Sequence, residues 1–592
     1  MLKKINSFIN LEIKPTVKEL FDLRIFNDSK ISKKIIYNII ILILSLSAGM
    51  FSFQLINGDI FVKEKIIGAI ITFLFSFIIT MLYGEKLLKS NIKDFKIFPI
   101  FNLIIVILAI IVIRKMYMFQ LSTTYVNKIQ SKLFFNRFNL KFFAMSSFII
   151  IMLFVYVLNR IRDDIKFMLN KLDVWDKRAY IVATISSIVL IIGIYSLSVG
   201  WYYTYDSVYS IDSKWIFKDI IRESHYYDVR HPILNIFVFP VWAIVNTLLD
   251  TLNSSILHLG KESFRYLEAV ILQILNAQLL ILIALKLKIL TKNRKVFILY
   301  MVSFATITYI LFFEKYQLIT FLLVNYVFLT CFQKRNIKAL VSSILVMPTT
   351  IVISIAECLN IHRDTLKSDI QKLIIKGVKV LVVLIAFLII FGRMSIFING
   401  KRDITKMRKQ FTASFTIQER INTTNNMLHS SIVPFKANKT IENKYVWNNL
   451  HTKSSIIGLA ILILSIIGFV SNRKKLIYKI SMAWLIFAYV LFVILKWSPD
   501  ETPLFNIYFS WAIIVLLVAG IDTMINKLSI VINNIYNKVE KDKKYEKDKV
   551  KKILNILIYT IIIALILIAN FKEVHIIYNF LDSIKELINV VE

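Results

Sequence analysis

Long apolar runs, nearly free of charge, recur along the chain and alternate with basic, polar connectors. A bilayer-spanning helix needs about 20 apolar residues. Runs of that kind lie near 35–57, 65–83, 98–114, 143–158, 179–198, 266–288, 296–312, 317–332, 372–391, 455–471, 477–495, 505–525 and 553–570. The pattern predicts about thirteen spans. Only 13 Gly and 8 Pro occur in 592 residues, which favours long helices over barrel strands with frequent turns. The expected fold class is all-α, a polytopic membrane helical bundle with extracytoplasmic loops and surface helices.

One further run, 339–361, carries Pro348 at its middle, in Val346-Met347-Pro348-Thr349-Thr350. Basic segments flank it on both sides, Lys334–Lys338 and Arg363–Lys376. A single span would put one of those flanks outside, so a broken or re-entrant hairpin is expected, with one kinked span as the alternative.

Composition narrows the class. The chain is 57% hydrophobic and 19% charged, which excludes a water-soluble enzyme and a disordered protein. Two cysteines, Cys331 and Cys358, exclude a disulfide scaffold. Lys and Arg total 73 against 38 Asp and Glu, a net charge of +35. In so apolar a chain that excess marks cytoplasmic loops rather than a nucleic-acid partner. Clusters such as Lys86–Lys96, Arg160–Arg178, Lys286–Lys295 and Arg473–Lys479 are expected inside. The N-terminus is then cytoplasmic, with residues 1–34 on the inner surface, and 199–265 and 392–454 form outer loops. The basic loop at 115–142 also falls outside, against the rule.

Candidate chemistry collects on the outer face. The first long loop opens Trp201-Tyr202-Tyr203-Thr204-Tyr205-Asp206-Ser207, a density of aromatics suited to the membrane interface. Asp206 follows the 179–198 run closely, where partial desolvation would raise a carboxyl toward the range of a general base. Asp212 lies six residues on. The loop continues Tyr227-Asp228-Val229-Arg230-His231-Pro232-Ile233-Leu234, and Pro232 suits the first turn of a surface helix running to about Leu252. Glu314-Lys315-Tyr316 forms a tight outer turn between spans, and Asp500-Glu501-Thr502-Pro503-Leu504-Phe505 precedes a late span. Each string has a plainer reading: Asp206 as a helix cap, Glu314 and Lys315 as an interfacial ion pair, Asp500 and Glu501 as solvated turn residues.

In order and sidedness these strings resemble the GT-C glycosyltransferases, multispanning enzymes of the protein mannosyltransferase and aminoarabinose transferase type. The likeness covers 179–525. It implies inverting transfer of a hexosyl or pentosyl group from a polyprenyl-phosphate donor to a glycan, lipid or protein acceptor outside a cell membrane, with Asp206 as base. His231, Asp228 and Glu314 would share the catalytic site. Arg230, Lys315, Tyr316, Asp212, Asp500 and Glu501 would hold substrate or lipid phosphate. The late motif of the family often carries Arg, whereas Asp500 and Glu501 stand here, so phosphate binding falls to Arg230, Lys315, Arg393, Lys401 or Arg402. The catalytic loop follows the fifth span rather than the first, which implies an added N-terminal bundle. No cofactor is certain. A divalent ion on Asp212, Asp228 and Glu314 is conceivable, but their spacing is not that of a metal motif.

The implied organisation is an inner-surface segment (1–34), accessory helices (35–178), a catalytic membrane core (179–391), an outer loop (392–454), C-terminal membrane helices (455–525), a basic cytoplasmic linker (526–552), and a last span with an outer tail (553–592). A transporter, flippase or polymerase of lipid-linked oligosaccharide is the alternative. No phosphate-binding GxxxxGK loop, HExxH or GxSxG string occurs.

Overall fold

A computed structural model describes residues 31–54, 62–123, 137–195, 208, 234–332, 350–358, 366–390, 405, 415–435, 438–441, 444–447, 453–497, 502–539 and 547–583. These residues are overwhelmingly helical. The exception is one short antiparallel hairpin, β1 (Asn438–Ile441) and β2 (Lys444–Trp447), with Asn438 opposite Trp447. The protein is an all-α membrane protein. Among the described residues, six helices are long and apolar enough to cross a bilayer, or seven if one bent pair is a single span.

That is fewer than the about thirteen expected from run length. The 296–312 run is not one continuous helix. It breaks at Ser303 into two pieces, Arg294–Val302 and Phe304–Leu311, bent by 55°. The 317–332 and 455–471 runs form helices of 16 and 17 residues, Tyr316–Cys331 and Ile456–Asn472. Both fall short of the about 20 residues a bilayer demands. Of the Pro348 hairpin, Pro348 itself lies outside the described residues, and Ile351–Cys358 is a helix of 8 residues.

The chain divides into two compact units. The first comprises 1–170, 221–247 and 381–403. It contains α1 (Ile31–Gln54), α2 (Val62–Ile97), α3 (Pro99–Thr123) and α4 (Arg137–Leu169). Leu44, Ala48 and Phe51 of α1 pack with Ile113 of α3 and with Ile149 and Ile150 of α4. Dispersion and buried polar pairs hold such helices, because lipid offers no hydrophobic drive between them. Ser76 of α2 accordingly donates to the Ser52 hydroxyl of α1. Pro99 removes a donor between α2 and α3, and the Asn102 amide donates to the Asp94 and Phe98 carbonyls there, each at 2.9 Å. The Asp94 carboxylate, buried, pairs with Arg160 at 2.7 Å.

The second unit comprises 171–220, 248–380 and 404–592. Its helices are α5 (Val174–Tyr195), the end of α6 (Leu234–Leu252), α7 (Lys261–Thr291), α8 (Arg294–Val302), α9 (Phe304–Leu311), α10 (Tyr316–Cys331), α11 (Ile351–Cys358), α12 (Leu366–Ile390, to 380), α13 (Ile417–Ser430), α14 (Ile456–Asn472), α15 (Leu476–Tyr489), α16 (Thr502–Val539) and α17 (Lys547–Ser583). In α16, residues 511–518 are almost wholly buried, which makes it the axis of the unit. Gly520 lets it touch α14, since a Cβ there would overlap the Leu464 carbonyl.

The unit has a basic end. There α5 opens on a reciprocal cap: the Asp176 N–H donates to Asp173 Oδ1 at 2.8 Å, and the Asp173 N–H donates to Asp176 Oδ2 at 2.9 Å. Lys288 of α7 bonds both carboxylates, at 2.9 and 2.7 Å. That hydrogen bond, with the backbone bond from Asp176, lowers the Asp173 pKa to about 2.

Candidate functional site

The site is built at the opposite end, where α9 stops inside the bundle. A helix that ends there leaves carbonyl groups without helical partners, and lipid supplies none. Two glutamines from neighbouring helices answer them. Gln273 Nε2 donates to the Tyr309 and Ile310 carbonyls at 3.1 and 2.6 Å. Gln317 Nε2 donates to those of Tyr309 and Phe312, both at 3.0 Å. The turn from α9 to α10 is thereby held in place.

Glu314 sits in that turn, 2% exposed. Its Oε2 accepts from the Lys315 N–H at 2.8 Å, and Asn276 donates to its backbone carbonyl at 3.4 Å. Lys315 caps α10 and its ammonium lies 5.8 Å from the Tyr316 ring. Tyr316 then packs on the first turns of α16, 4.9 Å from the Tyr508 ring and 6.1 Å from that of Phe505. Of the residues singled out in the sequence, these three are described. Asp206, Asp212, Asp228, Arg230, His231, Asp500 and Glu501 lie outside the described residues, as do Arg393, Lys401 and Arg402.

The same stretch of α16 touches a helix that the apolar pattern does not announce. The 392–454 segment, expected as a plain outer loop, contains α13, whose residues 423–430 are all buried. A complete capping box starts it: Thr416 Oγ1 accepts from the Glu419 N–H and Glu419 accepts from the Thr416 N–H. From there α13 runs antiparallel to α15. Arg420 bonds the Val493 carbonyl, and one turn on Tyr489 donates to Asn425 Oδ1 at 2.6 Å. Val493 lies in the π-helical turn Val490–Ile494, so Arg420 satisfies a carbonyl near the end of α15. At the far end of α13, Asn506 of α16 donates to Ser430 Oγ at 2.9 Å. Beyond it the Ile432 carbonyl accepts from the Phe304 N–H at the α8–α9 break, which explains how that break is tolerated.

The α13 side chains clip the start of α14. Asn426 Oδ1 accepts from the Ser455 N–H at 2.8 Å, and Asn425 Nδ2 donates to Ser454 Oγ at 3.2 Å. Gly458 permits the approach, because a Cβ there would overlap the Asn425 carbonyl. His429 Nδ1 lies 2.7 Å from Ser455 Oγ, and burial pushes the His429 pKa down to about 4. Its ring is therefore neutral near pH 7. Ser455 Oγ also accepts from the Gly458 N–H at 3.2 Å. The capping box was the one sequence signal that could have revealed α13.

Chemically, this end of the unit offers a buried carboxylate, a lysine, an aromatic wall and a bank of neutral hydroxyl and amide groups. The hydroxyl and amide groups bond to one another across the helices and fix the turn and α13 in place. Among the described residues no three His, Cys, Asp or Glu side chains gather as a metal site, and of Asp212, Asp228 and Glu314 only Glu314 is described. No family model, no curated protein and no solved structure matches this chain.

Proposed function

We propose that this chain is a membrane glycosyltransferase that moves a sugar from a polyprenyl-phosphate donor to an acceptor hydroxyl on the outer face of the membrane. The Tyr316–Phe505 contact carries the reading. It joins two of the strings on which the GT-C resemblance rests, although they are far apart in sequence. Burial of Glu314 beside them adds support, since a carboxylate held out of water in a fixed turn is costly and often functional.

In this reading Asp206 takes the proton of the acceptor hydroxyl while that oxygen bonds to the anomeric carbon. The bond from that carbon to the phosphate oxygen breaks, and its electrons leave with polyprenyl phosphate, inverting the centre. Lys315 is the described cation nearest the turn, and Arg230, Arg393, Lys401 and Arg402 complete the sequence-derived set that would neutralise the leaving phosphate. Asp228, His231, Asp212, Asp500 and Glu501 enter through the resemblance. A cytoplasmic N-terminus belongs to the same proposal. The test is sugar transfer from polyprenyl-phosphate donors in membranes, comparing wild type with Asp206→Asn.

One observation favours the alternative of a flippase for lipid-linked oligosaccharide. Lys286, 4% exposed, lies in a helix apolar enough to span, with its Nζ 2.7 Å from Asn325 Oδ1 and 4.0 Å from the Phe321 ring centroid. Charges inside spans mark transport paths. Movement of lipid-linked sugar without transfer would favour that reading.

A further inference from the structure

At the basic end of the second unit, α5 carries an apolar stripe that is headed by charge. Arg178, Val182, Ile185, Val189 and Ile192 fall at i, i+4, i+7, i+11 and i+14, one face of the helix over about 21 Å. The opposite face fixes the rotation of α5: Tyr180 and Thr184 donate to Gln278 Oε1 of α7 at 2.7 and 3.2 Å. The stripe therefore points outward, with Val182 63% exposed and Val189 64%. Trp175 lies one turn before Arg178 on the same side. The guanidinium of Arg294, the first residue of α8, lies over the Trp175 ring, 5.1 Å from its centroid.

Charge decides what covers this face. The acids at this end are already answered, since Lys288 bonds both Asp173 and Asp176. Arg294 comes no nearer than 3.8 Å to Asp173 Oδ2, beyond hydrogen-bond reach, and its side chain is 57% exposed. Arg178 is exposed and makes no ion pair among the described residues. Two guanidinium groups with N–H edges to offer thus flank one tryptophan, and that geometry matches phosphate oxygens. Tryptophan suits the headgroup level, and hydrocarbon suits the stripe that follows it. We propose that this face holds one anionic diacyl phospholipid, its phosphate between Arg178 and Arg294 and its acyl chains along Val182, Ile185 and Val189. A zwitterionic lipid brings a cation of its own to the same place and gains less. The site is independent of the sugar-transfer reading.

The experiment counts lipids retained on the purified, detergent-solubilised full chain by native mass spectrometry, titrating phosphatidylglycerol and phosphatidylcholine separately. Arg178→Gln and Arg294→Gln remove the two guanidinium groups from exposed positions, so the fold persists. Lys474→Gln, at an exposed cation in the turn from α14 to α15, controls for general surface charge. The expected result is one phosphatidylglycerol held about tenfold more tightly than phosphatidylcholine, weakened about fivefold by each arginine variant and unchanged by Lys474→Gln. Glycerol phosphate at the same concentration should fail to displace it, because the acyl chains contribute to binding. Equal retention of the two lipids would overturn the proposal, as would unchanged binding in both arginine variants. So would an equal loss in Lys474→Gln, which would mark diffuse attraction, or displacement by glycerol phosphate, which would mark a site for a soluble anion.

Discussion

His429 Nδ1 and Ser455 Oγ, 26 residues apart, lie 2.7 Å from each other and tie a polar helix to the start of an apolar one. Burial favours the neutral imidazole, lowering the His429 pKa from 6.5 to about 4. The folded state then binds fewer protons than the unfolded state between those values. Stability from this group is complete above about pH 6.5 and declines as pH falls toward 4, by roughly 3 kcal/mol in full. The melting temperature of the detergent-solubilised protein should fall over that window, and His429→Gln should flatten the slope. An unchanged slope would show that other groups control it.

Substitution of Gly458 should separate α13 from α14. Gly458→Val places side-chain atoms against the Asn425 carbonyl, and the backbone has nowhere to retreat while Asn426 holds Ser455. A loss of about 1–3 kcal/mol is expected in a denaturation series. An unchanged transition midpoint would mean that the two helices are not in contact.

At the basic end, Lys288→Ala removes the partner of Asp176, which is fully buried. Breaking such a pair costs about 3–5 kcal/mol, because the remaining charge is stranded. The double variant Lys288→Met with Asp176→Leu should recover part of the loss. Comparing the melting curves of the single and double variants checks this, and no recovery would place the stabilisation elsewhere than in the ion pair.

Glu314→Gln keeps the shape of the side chain and an acceptor for the Lys315 N–H, so the fold should persist. If Glu314 acts on the substrate, sugar transfer should drop by about 10²-fold. Transfer at the wild-type rate, with an unchanged melting curve, would reduce Glu314 to a structural residue.

The helices themselves were legible because each apolar run must hydrogen-bond internally in lipid. What failed was the inference from run length to span. Nothing in Val302-Ser303-Phe304 marks a break, since no Pro or Gly stands there. The break survives because Ile432, more than 100 residues on, accepts from the Phe304 N–H, a tertiary compensation that local pattern cannot carry. Similarly α13, Ile417–Ser430, has the composition of a loop, and only the Thr416–Glu419 box announces it. Its polar face is buried because α14, α15 and α16 each present a hydroxyl or amide to it. Within the candidate site, the Glu314 turn was read from sequence, whereas Gln273 and Gln317, which fix that turn, lie unremarked inside apolar runs.

In the proposed reaction Asp206 deprotonates an acceptor while a sugar leaves polyprenyl phosphate. Membranes carrying wild type or Asp206→Asn at equal abundance, supplied with radiolabelled polyprenyl-phosphate sugars, test it by the rate of label entering an acceptor. Transfer by the wild type and a loss of about 10²-fold or more in Asp206→Asn are expected. Equal transfer by the two, or no transfer by the wild type with any such donor, would contradict it.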